Sequence, residues 1–171
     1  RTVVEGDRTA DGFALDLEVP ADGGSGALYV EAFDANGDLV AVGQSPPFPV
    51  AAIEAEVAIY LAPPLSMHLA PATLSPARTD LAIAALSYGA IIAGGVDGDG
   101  VPIRDLTIYN AYTHELQLGE AMPQARTGVT LAVGTAGYAY LFGGLDAGGA
   151  PSGIAWLFDT NAAPDGEYLQ L

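Results

Sequence analysis

The stretch that decides the fold is PARTDLAIAALSYGAIIAGG, Pro76 to Gly95, because the chain repeats it. The second copy, QARTGVTLAVGTAGYAYLFGG, runs from Gln124 to Gly144 and contains one inserted residue. Both copies hold apolar runs of strand length that end on a glycine pair, which is typical of β-strands bounded by turns. Similarity at a fixed period predicts a repeat architecture in which each unit packs on its neighbours.

The similarity extends beyond these stretches. Four features recur in the same order, so each unit is predicted to contain about four short strands. They are the arginines Arg78 and Arg126, the glycine pairs Gly94-Gly95 and Gly143-Gly144, the segments TIYN (107–110) and WLFD (156–159), and the tripeptide LQL (116–118 and 169–171).

A unit with this order resembles the kelch repeat, the four-stranded blade of one class of β-propeller. The resemblance rests on the arginines, the glycine pairs and the aromatic-polar pairs Tyr109-Asn110 and Phe158-Asp159. It departs from the family late in the unit, where a tryptophan is usual and the repeat alignment puts Leu116 and Leu169.

The resemblance implies a propeller segment over residues 64–171, with blade units 78–125 and 126–171. Residues 65–70 are interpreted as a possible outer strand of a preceding blade, because the stretch that begins there is similar to the end of the first unit. Propellers close with about four to eight blades, so two leave the ring incomplete. We therefore expect the chain to be a fragment of a larger protein, or other segments to complete the ring.

The N-terminal part, residues 1–63, is predicted to be a small antiparallel β-sandwich. FALDLEVP (13–20) and AIEAEVAIYL (52–61) alternate apolar and polar residues, and Asn36-Gly37 between two apolar runs predicts a hairpin. The stretch YVEAFDANGDLVAVG (29–43) resembles carboxypeptidase-regulatory or transthyretin-like sandwiches of bacterial surface proteins. The predicted fold class of the chain is therefore all-β.

The composition excludes some partners. The chain has 21 acidic residues, five arginines and no lysine, for a net charge of -16. Such a surface repels nucleic acid and anionic membranes. No apolar run reaches the roughly 20 residues that a transmembrane helix needs, so we expect no direct membrane insertion.

The acidic turns DANGD and DGDG are weak candidates for calcium ligation. Their carboxylates are Asp34, Asp38, Asp97 and Asp99. Neither stretch has the bidentate glutamate of an EF-hand loop, and the second repeat keeps Asp146 but has glycine in place of Asp99. Turn formation is the preferred interpretation, and no cofactor or metal is predicted.

The motif residues of the repeat are interpreted as structural. They are Arg78, Gly94, Gly95, Tyr109, Arg126, Gly143, Gly144 and Phe158. The arginines are expected to donate hydrogen bonds to backbone carbonyls in adjoining loops. No pair of carboxylates or nucleophile with a base stands at a readable spacing.

The sequence therefore favours a non-enzymatic binding or scaffold module of a bacterial extracytoplasmic or cell-surface protein. Its expected partner is a protein or a glycan. Two alternatives remain open, a fragment of a sugar-active propeller enzyme and an intracellular kelch scaffold.

Overall fold

A computed structural model describes residues 2–7, 24–49, 57–162 and 164–169, which form twelve strands and no helix. The all-β class is confirmed, and these ranges contain no helix able to cross a membrane. The strands are β1 (Ser25–Gly26), β2 (Tyr29–Phe33), β3 (Leu39–Gln44), β4 (Phe48–Pro49), β5 (Ala82–Leu86), β6 (Gly89–Ala93), β7 (Leu106–Asn110), β8 (Glu115–Leu118), β9 (Thr130–Val133), β10 (Tyr138–Phe142), β11 (Ala155–Asp159) and β12 (Glu167–Leu169).

Each repeat unit forms one four-stranded antiparallel sheet with its strands in chain order. Sheet I is β5-β6-β7-β8 and sheet II is β9-β10-β11-β12. Ala93 pairs with Ala82 and Leu106 in sheet I. At the same place in sheet II, Phe142 pairs with Thr130 and Ala155. The two units therefore share one register. From the start of β6 to the end of β7, each residue of sheet I is equivalent to the residue 49 positions later in sheet II.

The two sheets pack on one another and share one core, which also includes Met122 from the segment that joins them. The buried side chains are Ala82, Ile91, Ala93 and Leu106 from sheet I, and Ala139, Leu141 and Phe158 from sheet II, with Val129 just before β9. Full burial of one large apolar side chain contributes about 1.5 to 3 kcal/mol. The packing between the sheets is therefore the main source of stability in the described repeat region.

Strand β10 is covered on one side. Leu141 is fully buried against sheet I, whereas Tyr140 and Phe142 are 44% and 45% exposed. If each unit packs on its neighbours, as the repeat predicts, the apolar run of β10 is expected to be covered on both sides. The described residues provide a neighbour on one side, so alternate residues remain exposed.

In the N-terminal part, β2 and β3 form the predicted hairpin around Asn36 and Gly37, and β1 pairs with β4. The alternating stretches at 13–20 and 53–56 lie outside the described residues. Segment 57–62 joins this part to sheet I. The N–H of Ala58 donates to the carbonyl of Tyr112 at 2.6 Å, and Ala62 pairs with Val42.

Residues 65–70 form no strand, which differs from the predicted outer strand of an earlier unit. Leu65, Met67 and Leu69 are almost completely exposed. A strand needs the edge of another strand to pair with its backbone groups, and no described strand offers an edge here.

The fourth strands also differ from the repeat alignment. Leu116 pairs with Tyr109, and the equivalent partner of Phe158 is Tyr168 rather than Leu169. The turn before β12 is longer than its counterpart before β8, which shifts the alignment by one residue. An aromatic residue thus occupies this place in sheet II, with its ring 4.9 Å from that of Phe158.

Candidate functional site

The two sheets present two sets of loops at opposite ends of their strands. The connection end carries the links from β6 to β7, from β8 to β9 and from β10 to β11. The turn end carries the hairpin turns from β5 to β6, β7 to β8, β9 to β10 and β11 to β12. The sequence-predicted acidic turn of the repeat lies at the connection end.

That acidic turn is held by its first aspartate. Asp97 Oδ1 accepts the N–H groups of Asp99 and Val101 at 3.0 and 2.9 Å. Asp146 Oδ1 accepts the equivalent groups of Gly148 and Ala150, both at 2.9 Å. The first carboxylate is thus occupied by the turn itself in both units.

The hairpin turn at 34–38 has the same arrangement. Asp34 Oδ1 accepts the N–H groups of Asn36 and Asp38 at 2.8 and 2.9 Å. These two bonds lower the pKa of Asp34 from its ordinary value of 3.8, with the bond from Asp38 the stronger cause. Asp38 and Asp99 are exposed at the turns. Among the described residues, no three His, Cys, Asp or Glu side chains come together as metal ligands.

The repeated arginines bind their own sheets. Arg78 donates from Nη1 to the carbonyl of Asp105 at 3.2 Å and from Nη2 to Thr107 Oγ1 at 2.8 Å. Burial lowers the pKa of Arg78, and the carboxylate of Asp105 partly offsets this. The first of these bonds goes to a backbone carbonyl, as the sequence analysis expects.

Arg126 uses other partners. Its buried guanidinium donates to Gln124 Oε1 at 2.6 Å and lies 5.1 Å from the ring centre of Trp156. Trp156 is the repeat equivalent of Thr107, so both arginines approach the same position of the third strand. In the second unit the face of the Trp156 ring contacts the Arg126 cation. In the first unit the Thr107 hydroxyl accepts a hydrogen bond from Arg78 at the same position.

The two glycines of each pair have separate roles. A Cβ on Gly94 would lie 2.6 Å from the carbonyl oxygen of Arg126, and the N–H of Gly95 donates to that oxygen at 3.0 Å. A Cβ on Gly144 would meet the backbone of Thr127, within its own unit. All four glycines have positive φ. In the first unit the pair therefore admits the chain that enters the neighbouring sheet.

At the turn end, both sheets and the segment 71–73 enclose a cleft of about 730 Å³, which we call the turn-end cleft. Its apolar wall contains Ile108 and Leu116. Its polar lining includes Tyr88, Asn110, Thr113, His114, Gln117 and Asp165. A shallower groove of about 720 Å³ lies at the connection end, beside Asp80, Thr127 and Ser152.

The wall of the turn-end cleft is built on the turn from β7 to β8. Asn110 Oδ1 accepts the N–H of Tyr112 at 2.8 Å and that of Thr113 at 3.4 Å. His114 completes the turn with a φ of 58°. The Tyr109 hydroxyl lies 2.5 Å from His114 Nδ1, and burial raises the pKa of Tyr109.

Two polar atoms in this wall, Thr113 Oγ1 and His114 Nε2, are buried and have no hydrogen-bond partner among the described residues. The sequence predicted a packing role for Tyr109, indicated no ligand role for His114 because it has no second histidine or cysteine nearby, and did not mark Thr113. Their sequence signal is the polar residue that ends the third strand, Asn110 in one unit and Asp159 in the other. Asp159 likewise accepts a backbone N–H two residues later.

Comparison with models of known protein families gives no match, and a search among curated proteins gives none either.

Proposed function

We propose that this chain is a non-enzymatic recognition module from a bacterial extracytoplasmic or cell-surface protein. In this proposal sheets I and II are kelch-like blades of a propeller that further segments or other chains complete. The N-terminal part is a transthyretin-like or carboxypeptidase-regulatory sandwich. The ligand is a glycan or a protein surface, and it binds in the turn-end cleft.

The kelch-like assignment is supported by equivalent contacts in the two units. Arg78 and Arg126 both reach the third strand of their own sheet, at Thr107 and Trp156. The second glycine of each pair packs on the chain that enters its own sheet. A propeller consists of similar sheets that are stacked face to face. Two sheets that share one register and stack in this way therefore support the assignment.

The observation that carries the proposed function is the composition of the turn-end cleft. Amide, hydroxyl and carboxylate groups stand beside an apolar wall, so the cleft offers both donors and acceptors to a ligand with many hydroxyl groups. Binding pockets generally combine apolar walls with a few such polar groups. This mixture favours a glycan over an apolar small molecule.

The negative charge of the turn-end cleft and of the whole chain limits which glycans can bind. Glu115 and Asp165 line the turn-end cleft, and the whole chain carries a net charge of -16. An acidic oligosaccharide or a nucleic acid would be repelled on approach. The proposed ligand is therefore a neutral glycan, or a protein segment without net negative charge.

The direct test is a binding screen of the purified chain against neutral and acidic oligosaccharides. We expect neutral oligosaccharides to bind. Replacing Gln117, an exposed residue of the cleft, by alanine should weaken this binding about tenfold, the effect of about 1.4 kcal/mol. Isothermal titration calorimetry measures the change.

The matched control is Asp99→Asn, which changes an exposed polar side chain at the connection end and should leave the affinity unchanged. The proposal fails if the chain binds neither a neutral glycan nor a protein segment. It also fails if Gln117→Ala binds as tightly as the wild type while Asp99→Asn does not.

A further inference from the structure

The two sheets have equivalent faces with different surroundings. We call the face that sheet I turns toward sheet II its front. It contains Ala82, Ile91, Ala93 and Leu106, all buried. The shared register makes Thr130, Tyr140, Phe142 and Ala155 the front of sheet II. Tyr140 and Phe142 are 44% and 45% exposed, so the same face is covered in one unit and open in the other.

The opposite face of each sheet, which we call its back, has the reverse exposure: it is covered in sheet II and partly open in sheet I. The back of sheet II packs on the front of sheet I, and it contains Leu131, Ala139, Leu141, Trp156 and Phe158. The equivalent back of sheet I contains Ile83, Ala85, Ala90, Ile92, Thr107 and Tyr109, of which Thr107 is buried beside Arg78. Ile83 is 62% exposed. Within the described residues, the front of sheet II is thus open, and the back of sheet I is open around Ile83.

The glycine pairs mark the same difference. Gly94 has the carbonyl of Arg126, the methyl of Met122 and a methyl of Val129 within 3.3 Å of the Cβ it lacks. Its equivalent, Gly143, has a φ of 71° and nothing within 4 Å of that position. The close approach that requires glycine at residue 94 has no counterpart in the described residues at residue 143.

Side-chain size indicates what fits the open front. In the closed interface, Ile91 and Ala93 of the front of sheet I lie at the positions that Tyr140 and Phe142 occupy in sheet II. The open front instead carries the large Tyr140 and Phe142. On the back of sheet I, Ala85 and Thr107 are smaller than their equivalents Val133 and Trp156 in sheet II, although Ile83, Ile92 and Tyr109 lie on the same face. Well-packed faces place large residues opposite small ones, so the open front complements the open back.

We propose that the front of sheet II binds the back of sheet I in a second copy of this chain, in the orientation that sheet II has on sheet I. The carbonyl of Arg78 and the side chain of Leu81 in the second copy then take the places at Gly143 that those of Arg126 and Val129 take at Gly94. The proposal rests on the blade arrangement proposed above, and it extends it to assembly.

This association is head-to-tail, and each copy contributes two sheets. Two, three or four copies give four, six or eight sheets, which is the range in which propellers close, about four to eight. The described contacts of the N-terminal part with sheet I lie at the turn from β7 to β8, where Tyr112 forms hydrogen bonds with Ala58 and Pro47. They leave Ile83 exposed.

Sedimentation velocity on the whole chain tests the proposal. We expect one species of two, three or four copies whose size does not grow with concentration. Phe142→Glu removes the open front and Ile83→Glu removes the open back. Each variant alone should be monomeric, and an equimolar mixture should form a dimer through the one intact interface.

A pair of glycine variants tests whether association uses the proposed interface. Gly143→Ala changes that interface, and Gly149→Ala is its control. Both glycines have positive φ and nothing within 4 Å of a Cβ, so alanine strains the single chain alike. Gly143→Ala should weaken association at least tenfold, and Gly149→Ala should leave it unchanged.

A monomeric wild type overturns the proposal, and so does an assembly that Phe142→Glu or Ile83→Glu leaves intact. A monomer would indicate that a sheet of another polypeptide segment covers the open front. Binding of neutral oligosaccharide by monomeric Phe142→Glu separates the two proposals, because the turn-end cleft lies within one chain. If the wild type binds a neutral oligosaccharide but does not self-associate, the proposed function stands and this inference fails.

Discussion

Asp34, Asp97 and Asp146 each accept two backbone N–H groups through one carboxylate oxygen, from residues two and four positions later. A glycine with positive φ follows each of them by three positions. The repeat predicted that Asp97 rather than Asp99 forms the turn, because the second unit keeps an aspartate at the first position, Asp146, and has glycine at the second. The preference for a turn over a calcium loop therefore has a visible physical basis in these bonds.

The bonds at Asp34 make a pH prediction. Because they lower the pKa of the folded state, the ionised carboxylate stabilises the hairpin above the unfolded-state pKa of about 3.9. This contribution is lost as the pH falls through the lower, folded-state pKa. We expect an NMR titration of the Asp34 carboxyl carbon to give a pKa below 3.8. A value at or above 3.8 would contradict the described turn.

Single residues also show where sequence reasoning stops. The buried, unpaired atoms of Thr113 and His114 depend on how the turn from β7 to β8 is folded. The polar residue that ends the third strand, Asn110, marks the turn, but it does not show that these two atoms are buried without partners. Arg126 was predicted to bind a backbone carbonyl, but its acceptor Gln124 and the ring of Trp156 are set by packing.

At the scale of strands and sheets, the sequence predicted the unit well. The apolar runs before each glycine pair become β6 and β10, and the segments TIYN and WLFD lie in β7 and β11. The fourth strand was misaligned because the length of the preceding turn, between Asp159 and Glu167, has no repeat counterpart. The burial of β10 was overestimated, since an apolar sequence does not show whether a neighbour is present.

The one-sided burial of β10 gives a prediction for adjacent residues. Leu141→Ala should reduce the free energy of unfolding by about 3 kcal/mol, because it leaves a cavity between the sheets. Phe142→Ala, at an open position, should cost less than about 1 kcal/mol. Urea unfolding at concentrations that keep the chain monomeric measures both. Equal losses would mean that the sheets do not stack by these faces.

At the scale of the whole molecule, the N-terminal part and the repeat region are connected through few described contacts. Segment 57–62 lies between β3 and the outer turn of sheet I, with Tyr112 bonded to both Ala58 and Pro47. The sequence predicted the order of the two parts. It did not predict this contact, because Tyr112 lies in a turn outside any strand pattern.

The fold depends on the face-to-face packing of the two repeat units, in which the glycine pair of the first unit admits the chain that enters the second. Nuclear Overhauser effects from the α-protons of Gly94 test it most directly. We expect cross-peaks to the ε-methyl of Met122 and a γ-methyl of Val129, which lie within 3.3 Å of the Cβ position of Gly94. A well-dispersed spectrum that lacks both cross-peaks would contradict this packing.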